Sequence, residues 1–418
     1  MSQLHKRFND GQVKELFDKY IRGEVERKYL QEILGIGKSR FFVLMGKYRT
    51  QPGQFSVQYE RNGKTRGISS EIERTILKEL SREKKLIADD DTPIRTYNYS
   101  YIRDILKQDY GQIVSLPTII DRAKRNGFYL KKRKKEKIHD REVLTNYIGE
   151  LIQHDSSIHK WSPYADKKWT LITSLDDYSR FMPYANLVET ETSMAHINAL
   201  ESVFLHYGTP LSYYSDSHSI FRFVQGRDSV WRKHYLLTDG ADTQWKQVLN
   251  ECGVKIIYAL SPQAKGKIER PYGWLQDRVV RSCARENIKE IKAARLILGR
   301  ELHRYNFVQV HSTTGEIPYN RFKRAAKEKR SLFRPFGIKP PFKSTKDIFC
   351  LRLRRTIDAY RRVSIGGFVL KVNGVPHNDV ELRIYPLNNL LAEVRFWCGE
   401  KLIDIQKVKI SDLGSVHF

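Results

Sequence analysis

Near Thr145 the hydrophobic pattern of this chain changes period, from that of helices to that of short strands, and acidic residues end two of those strands. Residues 149–155 read as the first strand, closing on Asp155. Residues 168–175 and 181–188 read as the second and third, joined through Asp176-Asp177-Tyr178-Ser179-Arg180. A helix is expected over 193–207, with Ala195, Ile197, Leu200, Val203 and Phe204 on one face and Gly208-Thr209-Pro210 as its stop. A fourth strand, 211–215, delivers Asp216. Residues 242–252 read as a helix and 254–259 as a fifth strand. A helix then carries Glu269 inside Ser261-Pro262-Gln263-Ala264-Lys265-Gly266-Lys267-Ile268-Glu269-Arg270. The order β-β-β-α-β-α-β-α predicts an α/β layer fold.

Two carboxylates on strands and one on a helix can bring three hard oxygen ligands to one point. That suits a pair of Mg²⁺ ions, or Mn²⁺ in their place. Two such ions held a few ångströms apart catalyse in-line phosphoryl transfer on nucleic acid. Other polar residues compete for a role. Asp176 and Asp177 sit in a turn and read as turn-formers. Strand alternation points His154 to the face opposite Asp155. Lys265, Lys267 and Arg270 surround Glu269, where cations could hold the phosphates beside a scissile bond, and His218 is a further candidate for contacting DNA there. Gly266 would let the backbone approach DNA closely.

Charge points to the same class of substrate. The 74 Lys and Arg outnumber 48 Asp and Glu, a net of +26, which calls for a polyanionic partner. Residues 1–138 hold 31 cations against 18 acids and residues 321–418 hold 21 against 9, whereas 139–320 hold 22 against 21. Basic arms that grip phosphates by counterion release would thus flank a nearly neutral centre that does chemistry. No apolar run approaches the roughly 20 residues that span a membrane, and the first residues lack the apolar stretch of a secretion signal. Cys252, Cys283, Cys350 and Cys398 are isolated from one another, which indicates neither zinc nor a disulfide framework and fits a reducing cytoplasm.

The N-terminal arm reads as two helical DNA-binding units. In the first, residues 1–50, a helix at Gln12–Ile21 precedes a short helix at 26–34, the turn Gly35-Ile36-Gly37 and a third helix at 38–48. Helix, glycine turn and helix make a helix-turn-helix pattern, in which Lys38, Ser39 and Arg40 would open the recognition helix. Residues 50–67 read as a linker. The second unit, residues 68–130, opens with the capping pattern Ser70-Glu71-Ile72-Glu73, continues with a helix near 100–107, and ends with a helix entered through Ser115-Leu116-Pro117-Thr118. That last helix presents Thr118, Arg122, Lys124 and Arg125 as DNA-contact candidates. The run Lys131-Lys132-Arg133-Lys134-Lys135 lies in a basic linker, residues 131–144. Beyond a helix at 288–306 and the segment His311-Ser312-Thr313-Thr314-Gly315, short alternating runs in 345–418 predict a small basic β-barrel, with Arg352, Arg354, Arg355, Arg361 and Arg362 near its start.

The strand order, the Asp-Asp-Tyr-Ser-Arg turn, Tyr213-Tyr214-Ser215-Asp216 and the block at 261–270 together resemble the RNase H-like catalytic core of DDE-type transposases and retroviral-type integrases. The resemblance covers roughly residues 145–290 of a core expected at 145–310, and the basic arms flank it as in transposases of bacterial insertion sequences. It implies a multidomain protein: N-terminal all-α helix-turn-helix units, a central RNase H-like core with a mixed five-stranded sheet, and the C-terminal barrel as a non-specific DNA-binding module. Position by position, Asp155, Asp216 and Glu269 match the family's metal-binding triad. It further implies metal-dependent cleavage and strand transfer on double-stranded DNA, both terminal inverted repeats and target, by at least a homodimer in the bacterial cytoplasm at the nucleoid, with no membrane involved. One departure is visible: 52 residues lie between Asp216 and Glu269, more than the family commonly has, with the excess at about 219–238. A structure-selective RNase H-type nuclease would not need sequence-reading arms, and a non-catalytic repressor would not need the triad; these are the alternatives.

Overall fold

The computed structural model describes residues 4–58, 67–130, 144–215, 243–258, 266–414 and 416, with backbone alone for 266–269. The chain divides into two compact units, Met1–Arg74 and Thr75–Phe418.

In the first unit α1 (Asp10–Ile21), α2 (Arg27–Leu34) and α3 (Lys38–Thr50) surround Val13, Phe17, Leu30, Leu34, Phe41 and Met45. Helix α1 begins where the Asn9 side chain accepts from the Gln12 N–H at 2.9 Å and the Gln12 side chain accepts from the Asn9 N–H at 3.0 Å. This reciprocal pair satisfies two donors that would otherwise face water. Gly35 closes α2 at φ +64°, a left-handed conformation that L side chains resist, and α3 starts within three residues. Phe55 adds its ring to those of Phe17 and Tyr48, 5.7 and 5.3 Å away, so the core draws in residues beyond the third helix.

The second unit is built on a five-stranded sheet. Its strands are β1 (Ile152–His159), β2 (Trp169–Asp176), β3 (Tyr184–Val188), β4 (Ser212–Ser215) and β5 (Lys255–Tyr258), in the order β3-β2-β1-β4-β5. The β1–β2 and β2–β3 pairs are antiparallel, and β1–β4 and β4–β5 are parallel, the mixed arrangement that the resemblance implies. Helices α7 (Ser193–Tyr207) and α8 (Gln244–Glu251) supply Ile197, Leu200, Trp245 and Val248 to one core, which also holds Ile152 and Tyr213. Helices α9 (Gly266–Arg285) and α10 (Ile291–Phe307) supply Tyr272, Leu275, Val279 and Ile297 to the other, with Leu171 and Leu175. A shorter helix, α11 (Pro318–Lys327), follows.

Strand β1 differs from expectation. It starts at Ile152 and continues to His159, so Asp155 lies within the strand instead of closing it. The cause is upstream. Gly149 turns the chain at φ +71°, where a Cβ would fall 2.6 Å from the Phe333 ring, and pairing with β2 persists from Ile152↔Asp176 to His159↔Trp169.

Helices α4 (Ser70–Ala88), α5 (Tyr99–Asp109) and α6 (Leu116–Arg125) follow the predicted spans, and Ser115 caps α6 by accepting from the Thr118 N–H at 3.3 Å. These helices are not free-standing. Carboxylates of α4 and α5 meet arginines of α9 and α10, with Glu83, Asp104, Arg278 and Arg281 buried. Asp104 pairs with Arg278 at 2.7 Å and with Arg304 at 3.1 Å, and Asp109 pairs with Arg285 at 2.8 Å. Arg281 pairs with Glu83 and, at 2.9 Å, with Asp277 of its own helix. Tyr101 and Ser282 share a hydrogen bond at 3.1 Å.

The C-terminal strands are β6 (Leu351–Thr356), β7 (Arg362–Ile365), β8 (Phe368–Lys371), β9 (Asp379–Pro386), β10 (Leu391–Cys398) and β11 (Lys401–Lys409). They form a four-stranded sheet, β11-β10-β9-β6, and a β7–β8 hairpin; among the described residues no pairing closes them into the expected barrel. One face of the sheet instead covers α7 and α8, since Phe349, Leu351, Leu382 and Phe396 belong to the same core as Phe204 and Val248. Arg352, expected among the exposed cations, is 5% exposed. It and Arg383 pair with Glu251 of α8, at 2.5 and 2.9 Å. The Gln244 amide also accepts from the Arg352 N–H at 2.7 Å and donates to its carbonyl at 2.8 Å.

Candidate active site

Asp155 is half-buried near the middle of β1. Its direct partner across the β1–β2 ladder is Thr173, and cross-strand partners share a face. The Thr173 hydroxyl donates to the Tyr272 hydroxyl of α9 at 2.8 Å. Two residues along β1, on the same face, the Ser157 hydroxyl accepts from the Gln276 side chain of α9 at 3.2 Å. Tyr272 and Gln276 follow position 269 by three and seven residues, the spacing of one helix face. Helix α9 is therefore fastened across the Asp155 face of the sheet by the stripe on which Glu269 stands, in the helix's first turn. The Glu269 side chain, Asp216, Lys265, the Lys267 side chain, His218 and the 219–238 stretch lie outside the described residues. Among the described residues no group of three or more His, Cys, Asp or Glu gathers to hold a metal. The i, i+3, i+7 spacing from Glu269 marks Tyr272 and Gln276 in the sequence as members of one helix face, whereas Thr173 and Ser157 carry no comparable signal.

His154 points away from Asp155, as alternation requires. It is fully buried, its ring lies parallel to that of Trp245, and its two nitrogens bond to the Ser174 hydroxyl at 3.0 Å and to His196 at 2.9 Å.

Asp176 and Asp177 are both buried, and both organise the turn after β2. Asp176 accepts from the Gly149 N–H at 2.8 Å and from the Ser179 N–H and hydroxyl at 2.9 and 2.5 Å. Burial pushes its pKa up to about 6, against the pull of these bonds. Asp177 accepts from the Gln153 amide at 2.5 Å, the Thr145 hydroxyl at 2.7 Å and the Arg180 guanidinium at 3.1 Å. With their oxygens committed to donors of the turn and of the segment at 145–153, they hold this turn together.

Of the cations around Glu269, Arg270 is described. It is exposed and donates to the Thr313 hydroxyl at 2.9 Å, which brings the 311–313 segment beside the start of α9. Burial, with Arg180, Arg270 and Arg321 nearby, pushes His311 down to about 4, so it is neutral at neutral pH. Lys38, Ser39 and Arg40 are exposed in the first turn of α3. On α6, Arg122 and Arg125 both pair with Asp121, at 2.7 and 3.0 Å, and Lys124 lies 5.1 Å over the Tyr129 ring. Thr118 is half-buried. No helix among the described residues is long and apolar enough to cross a membrane.

No protein-family model matches the chain. It is 28% identical over 249 residues to a putative transposase, y4bF, of Sinorhizobium fredii, an alignment covering 60% of this chain and 50% of that protein. It is 26% identical over 171 residues to the transposase for insertion sequence IS1202 of Streptococcus pneumoniae, covering 41% of this chain and 35% of that one. The chain thus spans about half the length, or less, of these curated relatives. Among solved structures, the catalytic core domain of BIV integrase aligns over 43% of this chain and 98% of its own, at 17% identity and a TM-score of 0.30. The HTLV-2 integrase catalytic core domain, solved with magnesium, aligns over 44% and 99%, at 18% identity and a TM-score of 0.31. In sequence, the chain is similar to these two transposases, in line with the resemblance that its motifs carry.

Proposed function

We propose that this chain is a DDE-type transposase of a bacterial insertion sequence, which cuts DNA at the element's ends and joins the freed 3′-hydroxyls to target DNA. The observation that carries this reading is the fastening of α9 over the Asp155 face through Tyr272 and Gln276, three and seven residues from Glu269. The similarity to transposases supports it. Asp155, Asp216 and Glu269 would hold the metal, and a donor set made only of carboxylate oxygens on a half-exposed face fits Mg²⁺, with Mn²⁺ as substitute. Such ions, when bound, supply Lewis acidity and an activated water for in-line displacement. The chain's own part is to hold the carboxylates on rigid elements and to seat the DNA. Lys265, Lys267 and Arg270 hold the phosphates that flank the scissile bond. Lys38, Ser39 and Arg40 on α3 read the terminal inverted repeats in helix-turn-helix fashion, aided by Thr118, Arg122, Lys124 and Arg125 on α6. Exposed Arg354, Arg361 and Arg362 of the C-terminal strands add grip without sequence preference. Two ends joined to one target require at least a dimer on DNA.

The test is the set Asp155→Asn, Asp216→Asn and Glu269→Gln, assayed on labelled DNA carrying the element's ends with Mg²⁺. Each change keeps shape and removes charge. Cleavage and strand transfer should fall by at least a thousandfold with repeat binding unchanged. Near-normal turnover by any one variant would remove that residue from the triad, and repeat binding without cleavage by the parent protein would favour a repressor.

A further inference from the structure

Asp155 stands on β1, whose described pairing with β2 runs from Ile152↔Asp176 to His159↔Trp169. A strand can still rotate slightly about its own axis. Rotation swings residues 154 and 156 one way and the Asp155 side chain the other, because successive side chains point to opposite faces.

Both neighbours of Asp155 are tied down on the far face by one chain of hydrogen bonds. The Ser156 hydroxyl donates to Glu191 Oε1 at 2.6 Å, and His196 Nε2 meets the same oxygen at 2.9 Å. His196 Nδ1 meets His154 Nε2 at 2.9 Å, and His154 Nδ1 meets the Ser174 hydroxyl at 3.0 Å. The Glu191 carboxylate only accepts, so His196 carries a proton on Nε2. His154 and His196 are fully buried. Glu191 stands one residue before Thr192, the N-cap of α7, so the chain links β1 to the start of a packed helix.

We propose that Glu191 and His196 are positioning residues that, through Ser156 and His154, fix the direction in which Asp155 presents its carboxylate. The proposal rests on the reading of Asp155 as a metal ligand. Groups that orient a ligand through hydrogen bonds are worth about 10–100-fold in metal affinity or activity when removed.

The experiment uses the full chain and compares Glu191→Gln with Glu191→Ala. Gln keeps an oxygen that accepts from both Ser156 and His196 and loses only the charge, whereas Ala removes the acceptor. Mn²⁺ affinity, measured by calorimetry without DNA, is the readout that does not depend on turnover; the Mg²⁺ dependence of end cleavage is the second. Glu191→Gln should stay within about twofold of the parent in Mn²⁺ affinity. Glu191→Ala should lose about tenfold or more and need correspondingly more Mg²⁺, with repeat binding unchanged. A folded Glu191→Ala protein with the parent's Mn²⁺ affinity overturns the proposal, as does an equal loss in the Gln and Ala variants. If Glu191→Ala does not fold, Ser156→Ala decides, since it removes one bond at the half-exposed end of the chain: a weaker but clear loss of Mn²⁺ affinity supports the brace and none overturns it. Should Asp155→Asn leave Mn²⁺ affinity intact, the metal-ligand reading fails first, and the brace with it.

Discussion

Asp104 lies at the centre of the contact between α5 and the helices behind the candidate site, and its loss should be felt more than that of any exposed ion pair. It receives Arg278 at 2.7 Å and Arg304 at 3.1 Å. Arg278 is 1% exposed, so Asp104→Ala strands a guanidinium that cannot reach water and whose next carboxylate, Glu301, is 3.7 Å away. Removing one partner of a buried pair costs about 3–5 kcal/mol. The partial exposure of Arg304 and the presence of Glu301 place this site near the lower end, at about 3 kcal/mol, roughly a 150-fold loss in the folding equilibrium. The assay is denaturant unfolding followed by tryptophan emission, because Trp274 lies 4.7 Å from the Arg278 guanidinium and reports on this contact. Arg103→Ala is the control. Arg103 also contacts Asp104, at 3.3 Å, but its side chain is 41% exposed, so its loss should change stability by less than about 1 kcal/mol. Replacing both partners, Asp104→Leu with Arg278→Met, should recover much of the loss, since an apolar pair needs no compensation for desolvation. If Asp104→Ala and Arg103→Ala prove equally mild, the contact is solvated and the docking of α4–α6 on α9 is not held as described.

Two further outcomes follow from single residues. Tyr272→Phe leaves the Thr173 hydroxyl buried without this partner and should destabilise by about 1–2 kcal/mol, whereas the double change with Thr173→Val should be closer to the parent; a double variant as unstable as the sum of both singles would mean that the bond does not fasten α9. Burial raises Asp176 from 3.8 to about 6, so the native state keeps this proton at a pH where the unfolded chain has released it. Its stabilisation is complete below about pH 4 and is lost as pH rises through 6, about 3 kcal/mol in all. Asp176→Asn should flatten that limb of the stability curve, and parallel curves for parent and variant between pH 4 and 6.5 would show that another group sets it.

The elements of the central sheet were legible in the sequence because each is announced locally. Periodicity gives the strands, Gly208-Thr209-Pro210 stops α7, and alternation sends His154 away from Asp155. The Asp176-Asp177 turn could be read from residue type alone. The ion pairs that dock α4 and α5 could not. Arg281 meets Glu83 across 198 residues and Arg278 meets Asp104 across 174, and no local pattern marks an arginine for burial. The same blindness placed Arg352 among phosphate-seeking cations, although it is buried against Glu251 of α8. The Glu191–His196 chain was missed for a related reason: its members are 35 to 42 residues from the strand positions they hold, and each has an ordinary local role as a cap neighbour or a helix residue.

The sharing of one core between the central sheet, through α7 and α8, and the C-terminal strands has a consequence for the order of events on the ribosome. Phe204 and Val248 share one core with Phe349, Leu382 and Phe396. While the chain is being made, the apolar surface of α7 and α8 in that core waits in water until the C-terminal residues emerge. A nascent chain of this kind holds exposed surface that can aggregate. It also cannot complete this shared core before the strands that carry the last of its basic charge are in place, so the central sheet and the basic C-terminal surface would mature together.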